Sequence, residues 1–292
     1  VKLPLPRGGL GNEGYAIGVA GQRLLLVGGA RRGAINAVYA LLEEDLGCRW
    51  YDRTSARIPR HRTLTFRPVP RSFVPRLFLR DPFYYDAFDA TWSLRNRTNA
   101  PGAAVPEEWG GHVDYDGLFV HTFNTLVPPG KYFEQHPEYF MQGKDGKRHT
   151  QQLCLTNPEV VRIATASLLD IMRKHPNSEI LEVSPNDGGQ HCLCPNCKAV
   201  DDANASPSGT LITFVNQIAE AAAKERPDIM ISTLAYLDTV DAPTVVKPRS
   251  NVIIRLCNDL HSWPYPFTCF TANTGPRSQR YRDAIITWAK VA

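Results

Sequence analysis

The sequence predicts an α/β fold in which a small α/β unit precedes a longer series of alternating strands and helices. Three observations carry this. Short apolar segments of strand length recur between stretches with helical periodicity. Residues suited to helix capping mark several helix starts. A strand–helix series of this kind argues for a parallel sheet with helices on its faces.

In chain order, Tyr15, Ile17 and Val19 alternate with small residues, as a half-buried strand does. Gly21-Gln22 supplies a turn, and Arg23 to Val27 is a second strand, so the pair reads as a hairpin. A helix follows, with Ile35, Val38, Tyr39, Leu42 and Leu46 on one face and Gly47 at its C-terminal end. The glycines of Gly28-Gly29-Ala30-Arg31-Arg32-Gly33 lie between strand and helix and invite a phosphate-cradle reading. Their spacing matches neither the dinucleotide nor the P-loop pattern, and a tight turn explains them as well. Residues 53–72, rich in Arg and Pro, read as a linker. Leu77 to Arg80 and Gly117 to Phe123 read as strands. Asn157 and Pro158 open a helix with Val161, Ala164, Leu168 and Ile171 on its apolar face. Ile180 to Val183 is the next strand. Ser208 reads as the cap of a helix carrying Leu211, Phe214, Val215, Ile218 and Ala222. Ile229 to Ala235 and Val252 to Leu256 are further strands, and Ala284 to Ala292 reads as an unfinished helix. With Val1 at the other end, the expectation is a fragment cut at both ends.

Composition narrows the function classes. The 292 residues suffice for a small domain plus a larger one, and 43% hydrophobic with 21% charged residues is ordinary for a globular protein. A net charge of +4, from 33 basic and 29 acidic residues, is too mild and dispersed for a nucleic-acid surface. No apolar run is long enough to span a membrane. Seven cysteines, three of them clustered, do not form the framework of a small disulfide-rich domain.

The segment from Ile180 to Cys197 carries the candidate chemistry. An apolar strand ends in Ser184-Pro185-Asn186-Asp187, a glycine pair follows, and Cys192, Cys194 and Cys197 are spaced C-x-C-x-x-C. Strand-tip carboxylates are where β/α enzymes place chemistry, so Asp187 is the leading catalytic candidate. Asn-Asp-Gly-Gly is also good turn chemistry. Tyr236, Asp238 and Asp259 lie at or just past later strand ends, with Asp259 a candidate second carboxylate. His121 is a candidate substrate contact or a structural histidine. Trp263 and Tyr265 are candidate ligand-stacking platforms or loop packing. Cys192, Cys194 and Cys197 could ligate structural zinc, with His191, Cys154 or Cys257 as fourth ligand; a disulfide or free buried thiols are the alternatives.

Gly14 to Ile17 through Leu41 to Tyr51 resembles the small α/β domain that precedes the barrel in hexosaminidases and α-glucuronidases. Pro75 to Asp81 resembles their first barrel strand. His121-Thr122-Phe123, His136 to Phe140, Leu153 to Pro158 and Ser184 to Cys197 together resemble a bacterial family of uncharacterised, glycosidase-like proteins, domain-of-unknown-function family 4838. The resemblance implies a small α/β domain over residues 1–70 and a (β/α)8 TIM barrel over 73–292, incomplete at about its sixth strand. It also implies a carbohydrate substrate, exo-type hydrolysis with Asp187 as general acid, no required cofactor, and an extracytoplasmic location. Arg80 is carried over as a substrate contact; an ion pair with Asp81 or another barrel acid is the alternative. Hexosaminidases end the corresponding strand in Asp-Glu, where this chain has Asn186-Asp187. Asn186 can bond an amide or hydroxyl but lacks the charge that stabilises an oxazolinium-like intermediate. Glycoside hydrolysis asks for two carboxyl groups. A non-catalytic sugar-binding barrel and a metal-stapled module are the competing expectations.

Overall fold

The computed structural model describes residues 2–65, 69–115, 117–257 and 275–292. The chain forms two compact units, Val1–Asp114 and Tyr115–Ala292.

In the first unit β1 (Tyr15–Ala20) and β2 (Arg23–Gly28) form the expected antiparallel hairpin, with Gly21 at φ +59° in its turn. Helix α1 (Gly33–Ala40) packs on it, but not through the expected face. Ala37, Ala40 and Leu41 lie against Tyr15 and Ile17, Val38 is 40% exposed, and Ile35 and Tyr39 turn toward Leu94, Ala103 and Val105. The alanines let the helix sit close to the sheet, which sends the large side chains to its flanks. The last turn widens over Leu41–Asp45, where Leu46 N–H bonds the Leu41 carbonyl, and this shifts the phase of Leu42 and Leu46.

The glycine-rich turn is not a phosphate cradle. A Cβ on Gly28 would lie 1.8 Å from the Ala34 nitrogen, and one on Gly29 2.1 Å from the Gly11 carbonyl oxygen. The amides of Gly29, Ala30, Arg31 and Arg32 already bond carbonyls of Gly14, Gly11 and Asn12. Those four amides are therefore not free to cradle an anion.

The 53–72 linker is also more structured than its composition implies. Strand β3 (Arg49–Trp50) pairs with β4 (Ala56–Arg57), and β5 (Arg71–Phe73) adds to β1 as the third strand of the hairpin sheet. Helix α2 (Ala90–Arg95) is capped by the Asp89 side chain. Leu77 to Arg80 is not a strand: the Arg80 amide bonds the Asn99 side chain instead of a ladder partner.

The second unit opens with the short helices α3 (Phe123–Leu126) and α4 (Pro129–Tyr132) and a hairpin of β6 (Phe140–Gln142) and β7 (Arg148–Leu153). Helix α5 (Pro158–Lys174) starts where expected, with the Asn157 side chain accepting the Glu159 amide. Then follow β8 (Ile180–Glu182), α6 (Pro195–Asn204), α7 (Ser208–Glu225), β9 (Met230–Ala235), β10 (Val252–Leu256) and α8 (Gly275–Val291). The three strands pair in parallel in the order β10-β9-β8, with Glu182 opposite Ser232 and Leu234 opposite Arg255.

Side chains alternate between the two faces of such a sheet. Leu181, Val183, Ile231 and Val252 join Leu168 of α5 and Leu211, Phe214 and Ile218 of α7 in the main core. Each such side chain, fully buried, contributes roughly 1.5–3 kcal/mol. The other face carries Glu182, Ser232 and Arg255. Trp288 of α8 packs with Ala235 and Val240 and donates its indole N–H to the Val240 carbonyl at 2.8 Å. Gly117 to Phe123 is not the expected strand. Val120 and His121 take left-handed conformations, at φ +33° and +54°, and Phe123 already starts α3. No described helix is long and apolar enough to cross a membrane.

Candidate functional site

Beyond the C-terminal end of β8 the chain enters a loop, residues 184–194, whose first half is fixed by amide side chains. Asn186 is 8% exposed and makes five hydrogen bonds. Its amide N–H donates to Gln152 Oε1 (3.0 Å), and its carbonyl accepts from Gln152 Nε2 (2.8 Å). Its Nδ2 donates to Asn124 Oδ1 (2.9 Å) and the Gln151 carbonyl (2.8 Å), while Oδ1 accepts the Asn124 amide (3.1 Å). Both side-chain donors are therefore committed. Asn186, a sequence candidate for substrate contact, positions the strand tip in this structure. Ser184 ties in the preceding segment, accepting the His121 amide on its hydroxyl and the Thr122 amide on its carbonyl.

This frame leaves Asp187 exposed. Its Oδ1 accepts from the Tyr236 hydroxyl at 2.9 Å and from the Gly188 amide, and Oδ2 accepts nothing among the described residues. The Tyr236 ring lies 5.8 Å from the His121 ring. His121 donates Nδ1–H to the Pro185 carbonyl at 2.8 Å, which fixes its tautomer and turns Nε2 away from that bond. The structure thus brings together Asp187, Asn186, Tyr236 and His121. Their support is locally strained: Val120, His121 and Leu237 (φ +48°) are left-handed residues other than glycine, a feature that clusters at functional sites.

A second polar pair sits beside them. His191 Nδ1 and Asp238 Oδ2 are 2.7 Å apart, and both side chains are half-buried. They border an open groove of about 570 Å³ that Lys144, His149, Gln151 and Gln190 also line. Its size falls in the range of small-molecule sites. A cavity of about 30 Å³ behind Tyr236 and His191 has room for about one water. Asp238 had been noted only as a residue past a strand end. Its pairing with His191 joins residues 47 positions apart, which no local pattern announces.

The second half of the loop runs into four buried cysteines. The sulfurs of Cys154, Cys192, Cys194 and Cys197 all lie within 4.8 Å of one another, so these residues can hold a metal ion. Of the three candidates for fourth ligand, the structure selects Cys154; His191 turns to Asp238. Cys154 Sγ is 3.6 Å from Cys194 Sγ and 3.9 Å from Cys197 Sγ, far beyond the roughly 2.05 Å of a disulfide. Hydrogen bonds from Cys192 and Cys197 hold the Cys154 thiol well below its usual range, and the same bonds push those two up.

Arg80 belongs to the first unit, and its guanidinium is committed to Glu13 and to the Leu77 and Arg97 carbonyls. Burial opposes the Glu13 charge, but Arg32 and Arg80 outweigh it and hold that carboxyl below its ordinary range. Arg80 is thus in an ion pair, but with Glu13 of the N-terminal segment and not with Asp81 or a barrel acid as expected. Asp259, Trp263 and Tyr265 lie outside the described residues.

One buried group escaped the sequence reading. Glu182, wholly buried on β8, accepts from the Tyr115 hydroxyl, and its Oε1 has no partner among the described residues. Burial first, then the Glu182 charge, pushes the Tyr115 hydroxyl far up. A lone acid inside the apolar run Ile180 to Val183 was the signal.

Residues 50–292 match the family described as Domain of unknown function (DUF4838), and the chain belongs to that family. No curated protein matches it.

Proposed function

We propose, with membership of the DUF4838 family as the premise, that this chain is part of a glycoside hydrolase-like protein with a (β/α)8-type second unit acting on a carbohydrate outside the cytoplasm. The observation that carries the proposal is the exposed Asp187 carboxylate at a parallel-strand tip, oriented by the Tyr236 hydroxyl of the neighbouring strand's tip. Asp187 is the candidate general acid. Asp238, ordered by His191 at the edge of the groove, is the candidate second carboxylate. Neighbouring strands run about 4.8 Å apart, so carboxylates from adjacent tips suit the roughly 5–10 Å separations that two-carboxylate hydrolysis uses. Tyr236 and His121 offer a ring face and a hydrogen-bonding edge for sugar hydroxyls. Substrate-assisted cleavage of an N-acetylhexosamine is not part of the proposal, because Asn186 is uncharged and its donors are engaged.

The test is turnover by the full-length protein on a panel of aryl and natural glycosides, compared with Asp187→Asn and Asp238→Asn. Loss of general acid–base help is expected to lower kcat by about 10²–10⁴-fold. Unchanged turnover by Asp187→Asn on a confirmed substrate removes Asp187 from the mechanism. Glycan binding by calorimetry, with no product on long incubation, would replace the hydrolase with a sugar-binding barrel.

A second reading has its own observation, the cysteine quartet. We propose that its metal is structural zinc. Four protein sulfurs close the coordination sphere and leave no position for substrate, so the metal takes no part in the chemistry.

A further inference from the structure

The quartet joins two segments that the core does not join. Cys154 follows the β6–β7 hairpin, Cys192 and Cys194 end the loop after β8, and Cys197 lies in the first turn of α6. We propose that one zinc ion, bound as a tetrathiolate by Cys154, Cys192, Cys194 and Cys197, fastens these segments and fixes residues 189–197, and with them His191, in place. This rests on the structural-zinc reading and is independent of the hydrolase reading.

Geometry comes first. A tetrahedral ion with Zn–S bonds of about 2.3 Å holds its sulfurs roughly 3.8 Å apart. Two approaches of Cys154, 3.6 Å to Cys194 and 3.9 Å to Cys197, bracket that spacing. A quartet this tight surrounds a single ion and leaves no room for bridging sulfides. An all-sulfur tetrahedral set selects zinc or iron among common ions, and a closed, buried set without open position is characteristic of structural zinc.

The surroundings are arranged for negative sulfur. The Gln142 amide donates to Cys192 Sγ at 3.3 Å, and the Thr156 hydroxyl lies 3.2 Å from Cys197 Sγ. The Arg148 guanidinium, anchored on the Phe140 carbonyl, reaches Cys192 Sγ at 3.9 Å. Cys194 and Cys197 occupy the N-terminal end of the ten-residue helix α6, where the helix dipole favours anions. Four thiolates around a dication leave two surplus negative charges, and these groups face them. Such outer partners orient ligands and tune metal sites.

The loop itself explains why a staple is required. Between Asn186 and Cys192 the chain reads Asp187, Gly188, Gly189, Gln190 and His191, of which the first four are exposed. No apolar side chain there reaches the core, and the glycine pair adds conformational freedom that ordering must overcome. Beyond the quartet, this half is held by the Leu193 amide on the Gln142 carbonyl, the Thr210 hydroxyl on the Cys197 carbonyl and the His191–Asp238 pair.

The experiment uses the whole chain, expressed with zinc in the medium and analysed for metal after gel filtration. About one zinc per chain is expected. Cobalt(II) exchanged for zinc should give the intense sulfur-to-metal absorption of a tetrahedral thiolate site. Hydrogen exchange is then compared before and after chelation under reducing conditions. Amides of residues 189–197 should exchange at least about tenfold faster without zinc, while β8 and the Asn186 amide keep their protection. Zinc present, with 189–197 indifferent to its removal, overturns the staple and leaves structural zinc standing. Neither zinc nor a cobalt spectrum overturns both, and iron in place of zinc overturns the assigned ion. Global unfolding on chelation also overturns the staple, since the core of α5, α7 and the parallel sheet is required to stand without it.

Discussion

The two halves of the loop after β8 are held by different kinds of bond. Residues 184–188 hang on amides: Asn186 is knit to Asn124, Gln151 and Gln152, and Asp187 to Tyr236. Residues 189–197 converge on sulfur. The amide half positions an exposed carboxylate from within the chain's own hydrogen-bonding capacity. The sulfur half positions His191 next to a buried cluster of four cysteines that can hold an ion. The difference teaches that Asp187 and His191, four residues apart, answer to different perturbations, so each half can be broken alone.

The largest effect is expected from Cys197→Ser. It removes one of the four proposed zinc ligands and should lower zinc affinity by more than the roughly 10–100-fold that outer partners control. Competition against a chromophoric chelator measures it. Undiminished affinity would exclude Cys197 from the ligand set. Next comes Asn186→Asp. The new carboxylate would face two acceptors, Asn124 Oδ1 and the Gln151 carbonyl, in a site 8% exposed. A cost of about 2–4 kcal/mol is expected in urea unfolding, with zinc content unchanged. A cost below about 0.5 kcal/mol would mean that the amide network does not hold the tip. If Asn186→Asp also loses zinc, the two halves are one unit and the comparison fails.

The sequence disclosed what is local and hid what is not. Asn157-Pro158 and the spacing of Leu211, Phe214, Val215 and Ile218 locate α5 and α7, because caps and periodicity act within a few residues. The face of α1 was misread because close-packed alanines and a widened turn override the large apolar residues. Asp187 and Tyr236 are legible as strand-end chemistry, and His121 as a candidate contact. Their contacts are not, nor is the choice of Cys154 over Cys257 or His191 as fourth ligand. The Arg80–Glu13 pair spans 67 residues, and only the fold brings it together.

Arg148→Met sharpens the sulfur side alone. It keeps much of the side chain's length and removes the charge that faces Cys192 Sγ. Zinc affinity should fall by about tenfold, the lower end for an outer partner. An unchanged affinity would show that the Gln142 amide, Thr156 hydroxyl and helix dipole suffice to balance the sulfur charge.

Tyr236→Phe probes the amide side and should have the smallest effect on stability. The ring stays to face His121, so the substitution isolates the hydroxyl bond to Asp187. That bond is exposed, water can replace the lost donor, and the stability change should stay below about 1 kcal/mol. Exchange protection at 189–197 and zinc content should not move. The effect on chemistry is separate: if Tyr236 orients Asp187, kcat should fall while glycan affinity changes little, and less than in Asp187→Asn. A loss of about 3 kcal/mol or more would make the hydroxyl a structural anchor of the tip rather than a guide for one carboxylate. It would also transfer to Tyr236 the role that the five bonds of Asn186 assign to the amide network.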